Sequence, residues 1–88
     1  MAVQENIEQA IKELMVERLF LKVAPEQIGD EEALMEKYGL DSVNIFELVA
    51  GLEEVYGITF EDTDFQIDLF RNVRSISDYV RDKLRAQQ

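Results

Sequence analysis

Apolar residues recur at helical spacing in three stretches of this chain, and the segments between them lose that period. In the first stretch Val3, Ile7, Ala10, Ile11 and Leu14 share one face, with Glu5, Glu8, Lys12 and Glu13 on the other. This predicts an amphipathic helix running as far as Phe20 or Leu21. Glu8 and Lys12 stand four apart on it, the spacing of a favourable ion pair. In the second stretch a step of about 100° per residue from Val43 to Tyr56 gathers Ile45, Leu48, Val49, Leu52, Val55 and Tyr56 into one broad arc. That is the side a small helical domain buries. The third is introduced by Ser75-Ile76-Ser77-Asp78, read as a capping box. Ile76, Tyr79, Val80 and Leu84 form its inner face, and Arg81, Lys83 and Arg85 lie near its end, where the helix dipole favours cations. Ser75 and Ser77 are thus assigned to the helix start.

The intervening segments complete the outline. Val23 to Asp30 holds the single proline and a glycine and begins a long loop; Glu31 to Lys37 makes a helical turn that drops Leu34 inward before Gly39 stops it. Gly57 ends the second helix, and Ile58-Thr59-Phe60 is too brief for a strand. Phe65, Leu69 and Phe70 suit a short third helix after an acidic cap at Asp62 or Asp64. The expected fold is all-α, a four-helix bundle in a single domain, residues 1–88, with a long loop between its first two helices.

The second helix carries more than a core face. Val43, Phe46 and Ala50 line up on its other side, interleaved with Glu47, Glu53 and Glu54. An apolar stripe rimmed by carboxylates is a docking surface for basic partners; the alternative is a helix buried on both sides. Its start is equally distinctive. In Tyr38-Gly39-Leu40-Asp41-Ser42-Val43, Gly39 ends one element and Asp41 is a strong N-cap type. With capping assigned to Asp41, the Ser42 hydroxyl is left to point into solvent. An anion attached to it would be stabilised by the helix N-terminus by roughly 0.3–1 kcal/mol.

Composition narrows the chemistry. The chain has no Cys and no His, so it has no disulfide framework, no thiolate nucleophile and no imidazole base. Ser42 therefore belongs to no Ser-His-Asp triad within this chain, and any thiol chemistry must come from an attached group. No apolar run approaches the roughly 20 residues that span a bilayer, and Met1 to Asn6 lacks the features of a signal peptide, so a cytoplasmic protein is expected. The net charge of −10 is segregated: Glu26 to Asp68 contains thirteen carboxylates against Lys37 alone. That balance argues against nucleic acid, whose phosphates require Lys and Arg clusters, and fits steering toward basic protein patches.

Glu61-Asp62-Thr63-Asp64-Phe65-Gln66-Ile67-Asp68 fails the EF-hand pattern, with no glycine at the sixth position from Asp62 and Val73 at the twelfth. No dedicated metal site is expected.

Gly39-Leu40-Asp41-Ser42-Val43, with a helix ending Leu52-Glu53-Glu54-Val55-Tyr56-Gly57-Ile58, resembles the acyl carrier protein family, whose motif is Asp-Ser-Leu after Gly-Leu or a similar pair. The resemblance runs from about Val3 to Leu84. It implies an acyl-carrier-type bundle with no catalytic residues of its own. Ser42 would carry 4′-phosphopantetheine, drawn from coenzyme A, in phosphodiester linkage, and acyl intermediates of fatty-acid or related lipid or polyketide synthesis would ride on the thiol of that arm. The implied partners are a phosphopantetheinyl transferase, which recognises Asp41 in part, and acyl-loading, elongating and acyl-transfer enzymes with basic patches that meet Val43, Phe46, Glu47, Ala50, Glu53 and Glu54. Ile45, Leu48, Leu52, Ile58 and Phe60 are the candidates to line an acyl cleft. Val43 stands where the family most often has Leu, a conservative apolar change, and Asn44-Ile45-Phe46 departs from the acidic first and smaller last residue of many fatty-acid carriers, which leaves the identity of the partner enzymes open. A stand-alone monomer is expected. The reading from another class is an unmodified acidic helical interaction module, in which Ser42 is only a helix-start residue.

Overall fold

Helix α1 occupies Ile7–Leu19 and buries Ile7, Ile11, Leu14, Met15 and Leu19; of the expected stripe Ala10 is only half-buried, and Met15 and Leu19 are added. In this computed structural model, residues 6–61 and 67–86 are described, so the expectations for Val3, Glu5, Asp62, Asp64, Phe65 and the last two residues lie outside the described residues, as does the side chain of Ile67. The helix stops at Leu19 because Phe20 turns left-handed, at φ 56° and ψ 40°. Glu8 and Lys12 are not partners along the helix. Glu8 meets Arg81 at 2.7 Å and Lys12 meets Asp30 at 2.6 Å, because both side chains face neighbouring elements that offer closer countercharges.

The long loop is tied down. One 3-10 turn, Pro25–Gln27, closes with the Ala24 amide donating to Gln27 Oε1 at 2.8 Å, and Ile28 enters the core behind it. The Arg74 amide donates to the Asp30 carbonyl at 2.9 Å and the Leu34 amide to the Arg71 carbonyl at 3.0 Å, stitching the loop to the start of the last helix. Helix α2, Leu34–Tyr38, is the helical turn expected there. Leu34 is its buried residue and Gly39, at φ 62°, its stop, a left-handed position suited to a residue without a Cβ.

Helix α3, Ser42–Tyr56, buries Ile45, Leu48, Val49, Gly51 and Leu52 and ends at Gly57, φ 65°. Gly51 faces α1 closely enough that a Cβ there would lie 3.2 Å from Leu14 Cδ2. Val55 departs from the expected arc, being 54% exposed, while Tyr56 is half-buried. Helical phase sets a direction, but burial also needs a covering neighbour, and in this last turn Val55 is left more than half exposed.

Ile58 to Phe60 is loop, as expected, with Ile58 and Phe60 buried. Of the segment expected to form a short third helix, the described part is a single 3-10 turn, Ile67–Phe70, that sets Phe70 into the core. The ring of Phe60 lies 6.3 Å from that of Phe70 and 4.8 Å from that of Tyr79. Helix α4, Val73–Ala86, buries Val73, Ile76, Ser77 and Val80. It begins before the expected box: Asn72 Oδ1 accepts from the Ser75 amide at 2.8 Å and from its hydroxyl at 2.6 Å, so Asn72 is the capping side chain. Ser77 sits fully buried inside the helix and not at its start.

Helix α1 packs against both α3 and α4. The result is the expected all-α bundle of four helices, with no strand among the described residues. None of the described helices is long and apolar enough to cross a membrane.

Candidate functional site

The site begins with the cap of α3. Asp41 is extended, at φ −123° and ψ −174°; its Oδ1 accepts the Asn44 amide at 3.0 Å, and Asn44 Oδ1 accepts the Asp41 amide at the same distance. This reciprocal box confirms the capping role expected for Asp41 and adds Asn44, whose part was legible in the Asp-x-x-Asn spacing but unassigned. Ser42 is the first residue of the helix and is exposed. The cap needs nothing from its hydroxyl.

Two features hold this corner in place. Leu40 is buried beneath it, its amide donating to the Met35 carbonyl at 3.2 Å. Before it, Glu32 receives Lys37 Nζ at 2.7 Å and the Tyr38 hydroxyl at 3.0 Å. These bonds, Lys37 first, then the Gly29 backbone and Tyr38, lower the Glu32 pKa. The Lys37 pKa is raised by the same carboxylate, and that of Tyr38 is raised by burial and then by Glu32.

A phosphodiester on Ser42 fits this arrangement. The hydroxyl is exposed, and the first-turn amides of Ser42 and Val43 lie outside the cap, where helix N-termini offer donors to an anion. The residues that would hold such a group are therefore Ser42 and the backbone of the first turn. Among the described residues no cluster of three or more His, Cys, Asp or Glu could hold a metal ion.

The second stripe of α3 is divided by the structure. Val43 is 66% and Phe46 59% exposed, Glu47 is exposed beside them, and Ala50 is half-buried. Glu54 is exposed and paired with Arg18 of α1. Glu53 turns the other way: its carboxylate accepts the Phe60 amide at 2.8 Å and so fastens the loop after α3. Ile45, Leu48, Leu52, Ile58 and Phe60, the candidates for an acyl cleft, are all buried in one continuous apolar cluster. Sequence reasoning missed Phe20, an exposed aromatic at the end of α1, because a left-handed residue other than glycine leaves no local signature.

The family model described as the phosphopantetheine attachment site matches residues 9–80. That match runs through all four helices and includes the Asp41-Ser42 corner. The chain belongs to the phosphopantetheine-attachment family. It is similar to the acyl carrier proteins of two strains of Nitratidesulfovibrio vulgaris, DP4 and Hildenborough, with 31% identity over 78 residues in each case, covering 89% of this chain and 97% of the relative. Among solved structures it is similar to KstB-PCP in its apo form, with a TM-score of 0.72 and 26% identity over 88% of this chain and 85% of that one.

The protein is thus a carrier domain for a covalently attached 4′-phosphopantetheine, and a carrier rather than a catalyst. When bound, that group supplies a thiol, which this chain lacks because it has no cysteine. Proteins of this kind meet a phosphopantetheinyl transferase and the biosynthetic enzymes they serve.

Proposed function

We propose that Ser42 Oγ is the attachment atom and that the protein carries acyl intermediates as thioesters in fatty-acid or related lipid or polyketide synthesis, as a cytoplasmic monomer. The observation that carries this reading is the division of labour at the start of α3: Asp41 and Asn44 satisfy the cap between them, which leaves an exposed primary alcohol at the first helical position. In the loading step the Ser42 Oγ–phosphorus bond forms, the nucleotide remainder of coenzyme A leaves, and the hydroxyl proton passes to a base that this His-free chain does not supply near Ser42. The Asp41 carboxylate is committed to the cap and serves the transferase as a recognition feature.

The docking face in this proposal is Val43, Phe46, Glu47, Ala50 and Glu54, with Glu53 serving it indirectly by fastening the Phe60 loop. Its apolar centre and acidic surroundings support partners with basic patches. The likeness to acyl carrier proteins supports the lipid assignment, and the buried cluster of Leu48, Leu52, Ile58 and Phe60 supports an acyl chain sheltered between helices.

Intact mass before and after incubation with coenzyme A and a broadly tolerant phosphopantetheinyl transferase tests this. Wild type gains one phosphopantetheinyl unit and Ser42→Ala gains none. Equal gains in both would move the attachment elsewhere, and no gain in folded, unmodified wild type would leave an acidic interaction module.

A further inference from the structure

Phe20 combines two features that stability alone does not favour. It holds a left-handed backbone conformation at φ 56°, where a Cβ is strained, and its side chain is 85% exposed. A conformational outlier of this sort, kept on a surface, points to a role outside the fold. Phe20 also has company. An open groove of about 620 Å³ runs between the end of α1 and the first turn of α3, with Leu19, Phe20 and Val43 as its apolar lining and Glu17 and Glu47 at its acidic edges. Val43 is itself 66% exposed, so two of the largest exposed apolar side chains of the described residues face one groove.

We infer that the end of α1, through Phe20, forms part of the surface that receives the phosphopantetheinyl transferase, which presents to this groove an apolar side chain flanked by Lys or Arg. The inference rests on the proposal that Ser42 is the attachment atom. Charge defines the kind of partner. The lining cation, Arg18, is already paired with Glu54, so Glu17 and Glu47 define the sign the groove offers, and its α3 side belongs to the stretch Glu26 to Asp68, which carries thirteen carboxylates against one Lys. Position selects the transferase among basic partners. Enzymes that work on the arm's thiol share the α3 docking face but need reach only the far end of a long, flexible group. The transferase must bring its reaction centre to Ser42 Oγ itself, and the groove is lined by Val43 and Asn44, the next two residues.

Steady-state loading kinetics on the unmodified full chain, with coenzyme A and a phosphopantetheinyl transferase, test this together with thermal melting. Phe20→Gly removes the side chain while supplying the residue that a left-handed cap prefers, so its melting temperature stays equal or rises. Its KM for the protein substrate rises about 5- to 10-fold with kcat within about twofold, the size expected for losing one apolar contact of an interface. Phe20→Leu recovers most of the loss, and Val55→Ala, which trims an exposed apolar residue at the far end of α3, leaves KM unchanged. An unchanged KM in Phe20→Gly, or an equal rise in Val55→Ala, overturns the inference while the attachment proposal stands. Failure of wild type to be loaded at all overturns both.

Discussion

Asp41 binds the Asn44 amide at the point where the loop becomes helix, so its loss removes half of a reciprocal cap. Asp41→Ala is expected to destabilise the fold by about 1 kcal/mol, while Asp41→Asn keeps most of that stability; urea unfolding of the two variants measures it. The Glu32, Lys37 and Tyr38 cluster next to the site makes a pH prediction. Glu32 has its pKa lowered from 4.5, so the stability it contributes is fully present above about pH 4.5 and is lost as pH falls through its lowered pKa. Lys37 has its pKa raised from 10.5, so its share is present below about pH 10.5 and is lost as pH rises through the raised value. Glu32→Gln should flatten the acid side of a stability–pH curve below about pH 4.5, and an unchanged acid limb would show that the cluster does not act on the folded state. At this scale the sequence disclosed what is local. Asp41 was readable because cap chemistry depends on a few neighbouring residues. The partners of Glu8 and Lys12 were not, because Arg81 and Asp30 arrive from elsewhere in the fold.

Among the elements, α1 and α3 pack closely at Gly51, where an added Cβ would meet Leu14 Cδ2 at 3.2 Å and Arg18 Nε at 3.4 Å. A larger side chain must push these helices apart, and Gly51→Val is expected to cost about 1–3 kcal/mol, read from the shift in denaturation midpoint. Periodicity disclosed the long helices well, since each needed only a continuous apolar stripe. It failed at their ends. Asn72 begins α4 ahead of the serine pair that looked like a start, because a single Asn side chain answers the Ser75 amide and hydroxyl together. Phe20 ends α1 in a conformation usually given to glycine, and Val55 keeps the right phase yet stays more than half exposed. The turn before α4 is likewise 3-10 in its described part, where periodicity suggested a short helix.

For the whole molecule, the decisive property is an acidic surface around an exposed alcohol on a bundle whose helices need no attached group to bury their core. Exposed charges contribute little to stability, so Glu47→Lys should melt within about 0.5 kcal/mol of wild type while slowing the loading of Ser42 at low ionic strength. The difference should shrink as salt shortens the screening length to a few ångströms; a deficit independent of salt would place the effect of Glu47 in direct contact rather than steering. The fold class was legible because three amphipathic stretches can close only one small core. The site was legible because an acid, a serine and a glycine stop fall together at a helix start, though the groove at Phe20 was not, since it exists only once α1 and α3 are packed. The central claim, attachment at Ser42, is tested most directly by locating the modification. After loading with coenzyme A and a transferase, tryptic cleavage at Lys37 and Arg71 releases Tyr38 to Arg71 as one peptide. Fragmentation of that peptide is expected to place the phosphopantetheine on Ser42; the group found on Thr59 or Thr63, or on a peptide carrying Ser75 or Ser77, would contradict the account.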